Sequence, residues 1–195
     1  MITPLETAHH LLWALGTEAE LVYRERLPQT GRILVVSNHR SFLDAPLLMA
    51  MLDRSVSFAC HHYLGQVPGV RDLVSALGCV PLGQGRDRHR PFFDHALMQL
   101  QSQRPVGLFP EGSASILEPA PLAELKTFHR GFAHLALQSG LSHLAILPLA
   151  IAAEEIHLPS LLPLPWLQPF DPSEPLFRER CPSSLRGLSP GQGDG

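Results

Sequence analysis

Lysine is all but missing from this chain. Of the 15 basic residues, Lys126 is the only lysine and the rest are arginine. With 18 acidic residues the formal charge is −3, and the basic side chains are not massed, so no nucleic-acid partner is expected. Cysteine is scarce too: Cys60, Cys79 and Cys181 have no metal-ligand spacing, and an odd number fits a reducing, cytoplasmic compartment. Long apolar runs are absent. The longest, Leu144 to Ala153, falls far short of the roughly 18 residues a spanning helix needs. No stretch reads as a signal peptide. The Gly-x-Ser-x-Gly elbow of many serine hydrolases is also missing, which counts against a hydrolase using Ser113 or Ser115.

At 195 residues the chain is long enough for one domain with a sizeable core. Apolar runs that suit buried strands are Ile33 to Val36, Val56 to Cys60, Leu77 to Leu82, Val106 to Phe109 and Ala145 to Ile151. Helical stripes alternate with them: Leu43, Leu47, Leu48 and Met51; Val70, Leu73, Val74 and Leu77; Phe93, Ala96, Leu97 and Leu100; Phe128, Phe132, Leu135 and Ala136. The alternation predicts an α/β domain with a mostly parallel sheet flanked by helices. Residues 1–28 are expected to form a helical segment packed on or near a domain at 29–171. Its apolar positions include Leu5, Ala8, Leu12 and Trp13, and continue to Val22 and Tyr23. Residues 172–195, rich in proline, serine and glycine, read as disordered.

The chemistry concentrates in Ser37-Asn38-His39-Arg40-Ser41-Phe42-Leu43-Asp44. A histidine and an aspartate stand five positions apart at the exit of a strand. Histidine takes a proton near neutral pH, and an aspartate within reach fixes its tautomer. In a continuous helix the two would lie about 140° apart and would not meet. They meet only if His39 sits in the turn and Asp44 in the first turn of the next helix. Ser41 and Asp44 are both good N-caps, and Pro46 requires that the helix has just begun. The plain alternative is that Asp44 is an N-cap and Asn38-His39 a turn. His89 and Asp94 repeat the spacing and are read as an accident. Cys60 beside His61-His62 reads as core or turn, since no third ligand has metal spacing.

A second polar loop, Pro110-Glu111-Gly112-Ser113, follows the strand Val106 to Phe109. In parallel sheets ligands bind at the carboxyl ends of strands, so His39 and Glu111 are expected on one edge.

Together, Asn38-His39-x-Ser41-x-x-Asp44 and Phe109-Pro110-Glu111-Gly112-Ser113 resemble the motifs of the glycerolipid (glycerol-3-phosphate and 1-acylglycerol-3-phosphate) O-acyltransferase family. Gly78-Cys79-Val80-Pro81-Leu82, Phe128-His129-Arg130-Gly131 and Ile146 to Ile151 resemble weaker family segments in the same order, so the likeness covers about residues 30 to 152. It implies that His39 is the base and Asp44 its orienting partner. Asn38, Ser41, Glu111, Gly112 and Ser113 would help bind substrate. The donor would be acyl-CoA or acyl carrier protein, as co-substrate rather than cofactor. The acceptor would be a lysolipid met at a membrane surface, with the protein cytoplasmic and peripheral on the membrane. The family's two phosphate-binding arginines are replaced by Gln84 and Ala114, and Arg86 is the nearest substitute. That departure leaves open a non-catalytic lipid-binding protein on the same scaffold.

Overall fold

A computed structural model describes residues 2–60, 64, 68–83, 89–112, 115, 121 and 124–153. Its contacts separate Met1–Ile156 from His157–Gly195. The second unit, and with it the expected tail at 172–195, lies outside the described residues, as do Arg86 and Ser113.

Five strands form one sheet: β1 (Arg32–Ser37), β2 (Ser57–Cys60), β3 (Val80–Pro81), β4 (Val106–Leu108) and β5 (Leu144–Leu149). Their order is β3-β2-β4-β1-β5, and every pairing is parallel. The helices are α1 (Pro4–Ala14), α2 (Asp44–Leu52), α3 (Val70–Ala76), α4 (Arg90–Gln101) and α5 (Gly131–Gln138). The expected α/β architecture is present.

The pleat of β1 sends alternate side chains to two cores. Ile33 and Val35 pack with Ala8 of α1, Met49 of α2 and Phe58 of β2. Leu34 and Val36 pack with Phe92, Ala96 and Leu100 of α4 and with Leu135 of α5. Both faces of the strand are therefore buried, and its sequence is a continuous apolar run rather than an alternating one.

Several elements differ from the sequence pattern for identifiable reasons. α1 starts with a full capping box, Thr3 and Glu6, and the bond from the Thr3 backbone N–H holds the Glu6 carboxyl below its usual range. The helix stops at Ala14 rather than running to Tyr23, because Gly16 turns the chain at φ +63. Trp13, expected on the apolar face, is 84% exposed. β3 is only two residues long: Leu77 ends α3, and Gly78 at φ +67 intervenes. On α4 the buried stripe runs through Phe92 rather than Phe93.

Candidate active site

The register sets the site. Val36 of β1 lies opposite Leu108 of β4 on one side and Pro148 of β5 on the other. Three residues beyond each of these stand His39, Glu111 and Ile151. The chain therefore leaves the carboxyl edge at the same level on three neighbouring strands; Glu111 accepts the N–H of His39, and the main chain of Ile151 bonds Asn38 and Arg40 on either side of it.

Asp44 is the first helical residue of α2, with Leu43 in the cap position and no side-chain cap bond. Its carboxylate does not cap the helix, one of the two readings of the sequence. It turns back over the loop. Oδ2 lies 2.8 Å from His39 Nδ1 and accepts the backbone N–H groups of Arg40 at 2.6 Å and Ser41 at 2.9 Å. Oδ1 accepts the Ser41 hydroxyl at 3.2 Å. Ser41 Oγ in turn accepts the N–H of Leu43 at 3.1 Å, so Ser41 shapes the turn into α2. The Asp44 side chain is 3% exposed and that of His39 is 15% exposed. A neutral imidazole bonded to Asp44 in this way carries its proton on Nδ1 and leaves the Nε2 lone pair able to accept one.

The flat face of His39 is set by aromatic packing. Its ring stacks on Phe109 with centroids 4.1 Å apart and planes 8° apart, and Phe109 stacks on Phe58 at 4.9 Å and 13°. Phe58 has room only because residue 107 is glycine: a Cβ there would stand 2.1 Å from the Phe58 ring.

Glu111 is buried and uses both oxygens on the main chain. Oε2 accepts the His39 N–H at 3.0 Å and Oε1 accepts the Lys126 N–H at 2.9 Å. Gly112 adopts φ +75, a conformation that suits glycine, with the His129 ring about 3.6 Å from where a Cβ would stand. Asn38 is also buried. Its amide exchanges two bonds with the main chain of Ile151, Nδ2 donating to the carbonyl at 2.9 Å and Oδ1 accepting the N–H at 2.7 Å.

Of the expected site residues, Asn38, His39, Ser41, Asp44, Glu111 and Gly112 gather at this edge. Three contributors stand inside the quoted motifs but had no expected role: Arg40, whose guanidinium bonds the carbonyls of Ile151 and Pro121; Phe109, under the imidazole; and His129, beside Gly112. Arg40 had a signal, since it stands two residues from Asn38 and so on the same side of an extended chain. Ser115 is buried with its hydroxyl donating to the Gly112 carbonyl at 2.6 Å, which is a loop brace and not a nucleophile's setting. Among the described residues no cluster of three His, Cys, Asp or Glu side chains is placed to hold a metal ion. Burial pushes the thiols of Cys60 and Cys79 up to about 12, with Cys60 adding to the shift of Cys79.

The model of the Acyltransferase family matches residues 19–152, more than half of the chain. Among solved structures the chain is similar to PlsC of Thermotoga maritima, a 1-acyl-sn-glycerophosphate (LPA) acyltransferase. The identity is 21% and the TM-score 0.53, over 74% of this chain and 54% of that one. At this identity the likeness speaks to the fold, and this chain spans about half the length of the PlsC chain it matches.

Proposed function

We propose that this chain, which belongs to the acyltransferase family, moves a fatty acyl group from a thioester, acyl-CoA or acyl carrier protein, to the hydroxyl of a lysolipid or glycerol phosphate. The observation that carries the reading is the 2.8 Å bond between His39 Nδ1 and Asp44, at the carboxyl edge of a parallel sheet. His39 Nε2 takes the proton of the acceptor hydroxyl as its oxygen attacks the thioester carbonyl. The tetrahedral intermediate then collapses, the C–S bond breaks, and the departing sulfur takes the proton back from the imidazolium. Asp44 stabilises the imidazolium between the two steps. A thioester is already activated, so positioning and proton transfer suffice without an acyl-enzyme.

The acceptor we propose is 1-acylglycerol-3-phosphate, on two supports: the activity named for the structurally similar PlsC, and Arg86, two residues from the position where Gln84 replaces a family arginine. Such an acceptor is met at a membrane surface. Among the described residues no helix is long and apolar enough to cross a membrane, while Trp13, Val22 and Tyr23 are exposed in the N-terminal segment.

The test is thiol release from acyl-CoA and from acyl carrier protein with a panel of acceptors. Wild type is expected to acylate lysophosphatidate, and Arg86→Ala to lose about 10- to 150-fold in kcat/KM for that acceptor. Transfer only to phosphate-free lysolipids would reject the acceptor while keeping the reaction. Thiol release at the background rate with every acceptor would reject the reaction.

A further inference from the structure

Arg40 follows the base directly, and a guanidinium there would be well placed for a substrate phosphate. Two of its bonds point elsewhere. Nε donates to the carbonyl of Ile151 at 3.1 Å and an Nη to the carbonyl of Pro121 at 3.1 Å. The Ile151 carbonyl also accepts Asn38 Nδ2 at 2.9 Å, so both of its lone pairs are engaged. Asn38 and Arg40 flank His39 in sequence and reach the same peptide, while the imidazole between them reaches Asp44 and Phe109. The backbone of His39 is thus held from both neighbouring strands. Glu111, beyond β4, holds its N–H. Asn38 and Arg40 hold the residues on either side of it to Ile151, beyond β5.

We propose that Arg40 is a positioning residue for the reaction: it fixes the imidazole of His39 by bridging the base-bearing loop to the carbonyls of Ile151 and Pro121, and it does not bind a substrate phosphate. The planar fork explains the residue type. One guanidinium spans two carbonyls from two directions, whereas an ammonium is a single point on a flexible stem. Small displacements matter here, because a reacting group misplaced by about 1 Å costs up to about 10²-fold in rate. The inference rests on His39 acting as the base.

The experiment uses the full chain labelled with ¹⁵N-histidine, as wild type, Arg40→Met and Arg40→Lys, with His39→Gln to assign the ring signals. In Arg40→Met the His39 ring nitrogens are expected to shift toward tautomer averaging, while the signals of histidines remote from the loop stay in place. Kinetics run beside it, with palmitoyl-CoA and lysophosphatidate as probes. Arg40→Met is expected to lower kcat by about 10- to 100-fold, with both KM values held within about threefold. Arg40→Lys is expected to restore only part of the rate. Three results would each overturn the proposal: unchanged His39 signals in Arg40→Met, a raised KM for one substrate at unchanged kcat, or full recovery by lysine. If Arg40→Met does not fold, the lysine variant alone decides between the bridge and the charge. A fully active, folded His39→Ala chain would remove the base and the reading beneath the proposal. The spectral arm would still report whether Arg40 holds the ring.

Discussion

The two ends of the same sheet handle charge in opposite ways. At the amino edge a cleft of about 140 Å³ is lined by Arg24, Leu27, Gln29, Leu52, Asp53 and Arg54. Its arginines are partly or fully exposed, and Arg54 donates to the Gln29 carbonyl. At the carboxyl edge Asn38, Asp44 and Glu111 are each no more than 6% exposed and each is bonded to neighbouring main chain. The open cleft and the preorganised groups therefore lie at opposite ends of the strands. An open cleft is one criterion for a functional site and convergent, bonded polar groups are another; the proposed site meets the second. The second criterion is the one with a chemical reason, since only fixed dipoles and a fixed base accelerate proton transfer.

The sharpest way to break this contrast is to remove the pair. His39→Ala is expected to lower acyl transfer by at least about 10²-fold while keeping a cooperative urea transition, because the residue stands in a turn rather than in a core element. Asp44→Ala should match it in rate and also lose stability. Its carboxylate answers the ring and two backbone N–H groups, and a buried donor left unmatched costs about 1–3 kcal/mol. A folded, active His39→Ala chain would end the mechanism.

Gly107→Ala comes next. The added methyl meets the Phe58 ring, and the displacement passes through Phe109 to the imidazole. Stability should fall by about 1–3 kcal/mol, and the rate by about tenfold through misplacement of the base. A normal rate in this variant would show that the ring stack does not set the base.

At the amino edge, Arg54→Ala should change stability by about 1 kcal/mol and leave the rate alone; away from that edge, His89→Ala, at the head of α4, should also leave the rate alone. A large rate loss in Arg54→Ala would dissolve the distinction between the edges.

The smallest effect is on the thiols. In a Cys181→Ser chain, Cys60 and Cys79 should react slowly with a thiol reagent at pH 8 and quickly in urea, since burial keeps them protonated to about 12. The unfolded chain releases those protons from about pH 8.5, so their contribution to stability is lost as pH rises above that value. Rapid labelling of the folded chain would contradict the burial of this part of the sheet.

How far the sequence could be read follows from which forces are local. Strands buried on both faces, such as Ile33 to Val36, announce themselves by continuous apolar composition. The pair of His39 and Asp44 was legible because a turn and Pro46 limit where the helix can start. Two things were not legible. One was the direction of the Asp44 carboxylate, because capping and back-bonding use the same atoms and only the loop path chooses between them. The other was the alignment of His39, Glu111 and Ile151, because register between strands far apart in sequence is decided by packing. Asn38 and Glu111 read as substrate contacts from motif alone; Glu111 is bonded to two backbone N–H groups, and Asn38 to the main chain of Ile151 and to the Ser37 hydroxyl.

The single lysine has a practical consequence. Its backbone N–H is bonded to Glu111, so the one lysine of this chain stands where the 124–130 segment meets the loop of His39. Amine-directed chemistry, usually scattered over a dozen surface positions, is confined here to Lys126 and the chain terminus. A fluorophore attached through the Lys126 amine would therefore report on the neighbourhood of the reaction without any engineered cysteine, and its signal could follow substrate binding separately from turnover.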